Sequence, residues 1–165
     1  MFTTIEQFEK MWSQESEKTQ NILKTLTNES LSQAICDDHR TLGRMAWHIV
    51  ETFPEMMNKL GLKLDKITPP VPKNAQQIKD TYVKLSKSMM EQIKGKWSDA
   101  SLMQEDDLYG EKWKRGLTLL IFLQHEIHHR GQMTVLMRQA NLKVPSIYGP
   151  AKEGWVDYGM PVPEI

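Results

Sequence analysis

The sequence is poor in cysteine and in long hydrophobic stretches. Its one cysteine, Cys36, excludes an internal disulfide and any zinc site built on several cysteines. A lone cysteine is typical of a reducing compartment, so a cytoplasmic location is expected. The longest apolar run, LTLLIFL at residues 117–123, is far shorter than the roughly 20 residues that span a bilayer. The first residues, MFTTIEQFEK, lack the apolar stretch of a secretory signal, so neither secretion nor a membrane partner is expected.

An excess of charge of either sign is also missing. The 21 Lys and Arg residues balance the 21 Asp and Glu residues. Proteins that bind nucleic acids usually carry a basic excess or stripe, so no nucleic-acid partner is expected. A length of 165 residues suits one domain, predicted over residues 1–165, that can bury a core without disulfides.

Hydrophobic residues recur at helical spacing in four segments, which predict an all-α fold, a four-helix bundle. The first segment runs from about Thr4 to Leu26, and the second from about Thr41 to Leu60 with a kink expected at Pro54. The third begins at Asn74 and ends at Gly95, and the fourth runs from about Leu117 to Ala140. The predicted core positions share this spacing: Phe8, Met11, Trp12, Ile22, Leu23 and Leu26; Leu42, Met45, Ile49, Phe53, Met56 and Leu60; Ile78, Tyr82, Leu85, Met89 and Ile93.

Proline and glycine mark the connections. Residues 62–73, LKLDKITPPVPK, have three prolines in four residues, and they predict a long Pro-rich crossover between the second and third helices. Residues 97–116 are predicted as an irregular connection, although a short hairpin around Tyr109-Gly110 is also consistent with the sequence. In the tail, the aromatic side chains are expected to pack on the body: Tyr148, Trp155 and Tyr158.

Three of the five histidines lie in the string HEIHHRGQ, residues 125–132. On a helix, His125 and His129 lie about 40° apart on one face, so their rings can converge on one ion. His128 lies about 60° from His125 on the other side, and spacing alone does not choose between His128 and His129. His48, in the middle of the second segment beside its apolar stripe, is the third candidate ligand. Three nitrogens with open coordination positions are typical of a catalytic zinc.

The string His125-Glu126-Ile127-His128-His129 also matches the zinc-peptidase pattern HExxH, in which Glu126 would be the general base. A peptidase needs a downstream ligand, for which Glu153 and Asp157 are the candidates, and a sheet edge that holds the peptide. No strand is predicted to serve, so this function is the more distant alternative. For Glu126, a surface position or a position behind the ligands is equally consistent with its place on the helix.

Three segments together resemble the DinB/YfiT-like family of metal-binding four-helix bundles: LGRMAWHIVE at 42–51, LQHEIHHRGQM at 123–133 and RQANLKVPSIYGP at 138–150. In that family, the interior histidine of the second helix and the i,i+4 pair of the last long helix bind a divalent metal. The resemblance therefore implies His48, His125 and His129 as ligands, and it favours His129 over His128. It also implies a homodimer.

The resemblance implies an enzyme, because members include transferases of low-molecular-weight thiols such as bacillithiol. The expected activity is a thiol S-transferase or a hydrolase that acts on a small molecule with zinc or nickel. The alternative is a non-catalytic metalloprotein with a structural or sensing ion. Arg130 and Gln132 are candidates for orienting an imidazole or a substrate anion, although a solvated side chain is favoured for Arg130. Tyr148 and Trp155 are candidates for a lid, and a neighbouring backbone is expected to approach Gly131 closely.

Overall fold

Residues 1–164, which the computed structural model describes, form a mostly helical fold with four α-helices and one two-stranded sheet. Ile165, the last residue of the predicted domain, lies outside the described residues. The α-helices are α1 (Ile5–Thr25), α2 (Leu42–Met57), α3 (Ala75–Lys96) and α4 (Arg115–Gln139). Short 3-10 helices lie at Glu29–Ser32, Asn58–Leu60, Asp99–Met103 and Lys152–Tyr158.

Helices α1, α2 and α3 begin where their sequences supply a capping side chain. The hydroxyl of Thr4 accepts a hydrogen bond from the backbone N–H of Gln7 at 3.2 Å, and Asn74 Oδ1 accepts one from Gln77 at 3.0 Å. These side chains replace the intrahelical acceptors that the first turn lacks. Both helix starts agree with the predicted ones to within one residue.

The helices pack so that α1 and α2 each contact both α3 and α4. All but one of the predicted core side chains are buried, and the exception is Met11, which is 46% exposed. Met11 was wrongly predicted because the inward face of α1 runs through Trp12 and then through two polar residues, Glu15 and Thr19. The apolar spacing did not reveal that polar stretch of the inner face.

The connection after α3 contains the sheet, so the all-α prediction is corrected. Strands β1 (Glu105–Leu108) and β2 (Glu111–Lys114) pair antiparallel. The turn between them has positive φ at Tyr109 (53°) and Gly110 (86°), a pair typical of a tight hairpin and found where the sequence allowed one. The hydroxyl of Tyr109 donates to Glu55 Oε1 at 2.9 Å, which fixes the hairpin tip on α2.

Helix α2 contains Pro54 and ends at Met57, where a 3-10 turn continues to Gly61. Gly61 has a left-handed φ of 84° and ends the segment as predicted. Helix α3 continues one residue past the predicted stop at Gly95. Residues 62–73, which lie between Gly61 and the start of α3, contain neither helix nor strand. Within residues 1–164, no helix is both long enough and apolar enough to cross a membrane.

Two glycines of α4 have opposite surroundings. A Cβ at Gly116 would lie 2.0 Å from the carbonyl oxygen of Phe2, whose N–H donates to Gly116 O at 3.0 Å. At Gly131 a Cβ would meet nothing within 4 Å, so the expected close approach of a backbone is wrong. Gly131 therefore weakens the helix without a compensating contact.

We expect Gly131→Ala to stabilise the protein by about 0.5–1 kcal/mol, because alanine favours a helix interior. Gly116→Ala should destabilise it by about 1–3 kcal/mol, because the new methyl group displaces the chain at Phe2. Urea unfolding followed by circular dichroism measures both changes. Equal effects of the two substitutions would contradict the different environments of the two glycines.

Candidate metal centre

Helices α2 and α4 bring together the three histidines that the sequence singles out. His48 comes from the middle of α2, while His125 and His129 lie one turn apart on α4. The Nε2 atom of His125 lies 3.1 Å from Nε2 of His48 and 3.0 Å from Nε2 of His129. One ligand atom from each ring lies within 4.8 Å of the others, so the three nitrogens face a common point.

These separations fit a single metal ion. Two nitrogens that each lie about 2.0–2.1 Å from one ion are about 2.8–3.4 Å apart for angles between square and tetrahedral. The observed 3.0 and 3.1 Å fall within that range. The rings are also turned steeply against each other, with interplanar angles of 66–81°, which lets each present a nitrogen without stacking.

Hydrogen bonding gives a second reason to place a cation among the rings. His129 Nδ1 lies 2.7 Å from Gln132 Oε1, an acceptor, so Nδ1 carries the proton and Nε2 of His129 presents a lone pair. A neutral imidazole has one N–H, so His125 Nε2 cannot satisfy both of its close contacts with a single proton. A cation among the three nitrogens would remove this conflict, because each Nε2 atom could then direct its lone pair at the cation.

The rings are held in the neutral form that metal ligands require. Burial, helped by the positive charge of Arg40, lowers the pKa of His48 to about 4. Burial and the neighbouring His129 lower the pKa of His125 to about 4, and burial also lowers the pKa of His129. Near neutral pH all three rings therefore lack the second proton, whether or not an ion is bound.

His128 does not belong to this group. Its side chain is exposed, and its ring centroid lies 5.0 Å from that of His129. Within residues 1–164, the set of side chains that could hold a metal comprises His48, His125 and His129. The geometry thus brings His129, and not His128, together with His48 and His125.

A cavity of about 480 Å³ opens beside the histidines, in the size range of small-molecule sites. His129 and Gln132 form part of its wall. The other lining residues come from the segment before α2 and from α2 and α4: Ile35, Asp38, His39, Arg40, Met45, Val135 and Leu136. A ligand bound in this cavity would contact the three-histidine cluster at His129.

Glu126 points away from the histidines. Its side chain is 2% exposed, which excludes the surface position, and its Oε1 accepts hydrogen bonds from Thr19 Oγ1 at 2.7 Å and from Tyr82 OH at 2.8 Å. Burial raises the pKa of Glu126 to about 7, against the effect of these hydrogen bonds. This carboxyl group connects α4 to α1 and α3 and lies outside the histidine cluster.

Arg130 also lies on the inner side of α4 and is 1% exposed, so the prediction of a solvated arginine is wrong. Its guanidinium forms an ion pair with Glu15 and donates to Thr19 Oγ1 at 3.1 Å and to Tyr148 OH at 2.8 Å. The Tyr148 hydroxyl in turn donates to Glu15. We call the pair of Glu15 and Arg130 the buried ionic group, and the exposed ring of Tyr148 lies at its edge. The group contacts α1 and the tail, and it does not orient an imidazole.

Burial works against the charged form of Glu15, but hydrogen bonds from Lys18, Tyr148 and Arg130 outweigh it and hold the pKa of Glu15 below its usual value. Sequence reasoning missed this group. A signal was present, since Glu15 and Thr19 share one helical face with Trp12 and Ile22. Their partner Arg130 is 115 residues away from Glu15, and spacing does not reveal such a pair.

The residues that a zinc peptidase would add stay apart from the histidines. Glu153 pairs with Arg138 on the surface, and Asp157 is exposed. Neither belongs to the histidine cluster within the described part of the chain. Trp155 lines a different groove together with Tyr148, so these two aromatics do not form a lid over the cavity beside the histidines.

Of the two predicted orienting residues, Gln132 is the one in contact with an imidazole. We expect Gln132→Ala to weaken metal binding about tenfold, the lower end of the usual effect, because water can replace this exposed amide. Competition with a chelator of known affinity measures the change. Gln124→Ala, an exposed glutamine of the same helix, is the matched control and should leave affinity unchanged. Equal affinities of the two variants would show that the Gln132 contact does not support the site.

Comparisons with known proteins concern the whole chain. A model of the DinB family matches residues 1–160. The uncharacterized protein YrdA of Bacillus subtilis is 42% identical over 167 residues, which cover 100% of both chains. A DinB-like protein of Bacillus cereus, known from a crystal structure, is 45% identical with a TM-score of 0.87 over 90% of this chain and 100% of its own. YjoA, a DinB-like protein of Bacillus subtilis with a crystal structure, is 17% identical to this chain. Its TM-score is 0.67 over 86% of this chain and 97% of its own, so the similarity concerns the fold alone.

Proposed function

This chain belongs to the DinB family, and from that premise we propose that it is a metal-dependent enzyme whose ion is held by His48, His125 and His129. The observation that carries the proposal is that Nε2 of His125 lies 3.1 Å from Nε2 of His48 and 3.0 Å from Nε2 of His129, with ligand atoms of all three rings within 4.8 Å of one another. The proposed scaffold is a four-helix bundle of α1–α4 in which residues 62–73 form the crossover.

The proposed reaction is the transfer of a small thiol to an electrophile, or the hydrolysis of a small molecule. A bound divalent ion would supply the acidity that makes a thiol or a water molecule a nucleophile near neutral pH. The three imidazoles would hold the ion through their lone pairs, and Gln132 orients the His129 ring so that Nε2 faces the other two histidines. No cysteine lines the cavity within residues 1–164, so a reacting thiol would come from a co-substrate.

A catalytic ion is favoured over a purely structural one by the cavity beside the site. A structural zinc usually has four protein ligands, whereas the cluster among the described residues has three. His129, one of the three, also forms part of the cavity wall, so a small molecule in the cavity would contact one of the proposed ligands.

The identity of the ion is proposed as zinc or nickel, since imidazole nitrogens suit both. Elemental analysis of the purified protein, followed by X-ray absorption at the metal edge, would count the imidazole nitrogens and any exchangeable oxygen. We expect three imidazoles and at least one oxygen from solvent. A fully protein-derived coordination sphere would support the alternative of a structural or sensing ion.

Turnover is tested with the metal-loaded protein. Bacillithiol or dithiothreitol is offered with an aromatic halide as the electrophile, and p-nitrophenyl acetate serves as a hydrolase probe. We expect at least one activity that disappears on treatment with a chelator and returns with metal. Full metal occupancy without turnover of any of these probes would count against the proposed enzyme and for the non-catalytic alternative.

We further propose that the protein forms a homodimer, as the family resemblance implies. Exposed apolar side chains around the end of α4 and the tail support an association surface: Val135, Tyr148, Val156, Tyr158 and Met160. Sedimentation equilibrium measures the mass directly, and a monomer at micromolar concentration would overturn this proposal.

A further inference from the structure

We propose that Arg40 is a specificity-determining residue that binds the carboxylate of a small molecule seated in the cavity beside the histidines. The proposal rests on the metal-dependent function proposed above and adds the chemical class of the ligand. Arg40 ends the segment that leads into α2 and lines the same cavity as His129. One ligand could therefore reach both the metal site and the guanidinium.

The pairing of the other arginines marks Arg40 as different. Four of the five arginines form an ion pair with a carboxylate: Arg44 with Glu51, Arg115 with Asp106, Arg130 with Glu15 and Arg138 with Glu153. Within residues 1–164, Arg40 has no ion-pair partner and no hydrogen bond from its guanidinium. A guanidinium presents a planar set of donors that matches a carboxylate, so Arg40 is free to bind one from a ligand.

Arg40 and His129 line the same cavity, which puts the positive charge of Arg40 next to the metal site. A carboxylate bound there would neutralise the charge of Arg40 and reduce its repulsion of a bound cation.

The other residues that line the cavity limit the chemistry of the remaining part of the ligand. Ile35, Met45, Val135 and Leu136 make one side apolar, so a short hydrocarbon stretch fits between the two polar ends. Asp38 lines the cavity as well and would repel an anion. The carboxylate therefore belongs on the side of Arg40, and neutralising Asp38 should strengthen its binding.

The experiment uses the protein loaded with Co²⁺ and three thiols of one length and different charge: 3-mercaptopropionate, 3-mercapto-1-propanol and 3-aminopropanethiol. Coordination of a thiolate to cobalt produces a charge-transfer absorption band, which gives the dissociation constant of each thiol. We expect the carboxylate thiol to bind at least about tenfold more tightly than the alcohol, and the amine to bind most weakly.

Arg40→Gln should reduce the preference for carboxylate over alcohol to less than about twofold. Arg44→Gln is the matched control, because Arg44 is a nearby arginine already paired with Glu51, and it should keep the full preference. Asp38→Asn should tighten binding of the carboxylate thiol. The cobalt ligand-field spectrum without thiol should be the same in all variants, which shows an intact metal centre.

Two failures are distinguishable. Absence of cobalt binding by the native protein would overturn the proposed metal-dependent function. Binding of cobalt with equal affinity for the three thiols, or an undiminished carboxylate preference in Arg40→Gln, would overturn the role of Arg40 while leaving the metal centre in place.

Discussion

Replacing His125 with alanine is expected to weaken the binding of Zn²⁺ or Ni²⁺ by more than about 100-fold, a larger loss than the removal of an outer partner of a ligand causes. His125 contributes the nitrogen that lies within 3.1 Å of both other rings, so its loss leaves two ligands without their common neighbour. Metal content after dialysis against a weak chelator, and titration with a metallochromic indicator, measure the effect. The same loss is expected for His48→Ala and His129→Ala.

The matched control is His128→Ala. His128 is on the same helix, has the same chemistry and is exposed, so its removal should change the affinity by less than about threefold. Circular dichroism of the metal-free variants should be identical, since each histidine is replaced by a good helix former. An equal loss of affinity in His125→Ala and His128→Ala would mean that the histidines bind metal non-specifically on the surface of α4.

The second large effect is expected on stability. Arg130→Met should lower the free energy of unfolding by about 3 kcal/mol, because it removes the buried cation beside Glu15 and leaves the partly exposed Lys18 as the cationic partner of this carboxylate. For a chain of this size the melting temperature should fall by about 10 °C. Scanning calorimetry of the metal-free and metal-loaded protein should show the same decrease, since the buried ionic group does not contact the histidines.

Two controls separate the loss of a buried charge pair from the loss of any arginine. Arg138→Met removes a partly exposed pair with Glu153 from the same helix, and it should cost less than about 1 kcal/mol. The double variant Glu15→Gln/Arg130→Met should be more stable than Arg130→Met alone, because no charge is left unpaired. A decrease of similar size for Arg130→Met and Arg138→Met would contradict the importance of burial.

The helices could be predicted from the sequence because their apolar residues recur every three to four positions and, in α1, α2 and α3, a capping side chain precedes the first turn. Thr4 and Asn74 cap α1 and α3 as their spacing from Gln7 and Gln77 indicates. The hairpin was harder to predict because each strand has four residues, too few to show a clear alternation. Its turn at Tyr109-Gly110 was the part that the residue types revealed.

Within the candidate site, the spacing of the histidines on α4 predicted that a pair could converge, but it could not choose the partner of His125. That choice depends on how α4 is rotated against α2, which follows from the packing of the entire core. The polar residues of α4 explain why the sequence pattern did not reveal this rotation. Glu126 and Arg130 face the interior, so the inner side of this helix is only partly hydrophobic. A pattern that assumes polar residues outside assigns them to the wrong face.

The buried ionic group has a consequence for the order in which the chain assembles. Glu15 is synthesised long before Arg130, which follows 115 residues later. Until Arg130 has left the ribosome, docking of α1 in its final place would enclose Glu15 with Lys18 as its cationic partner and without the buried guanidinium, which is unfavourable. We therefore expect the first helix to dock stably once the helix that carries two of the three imidazoles has been made.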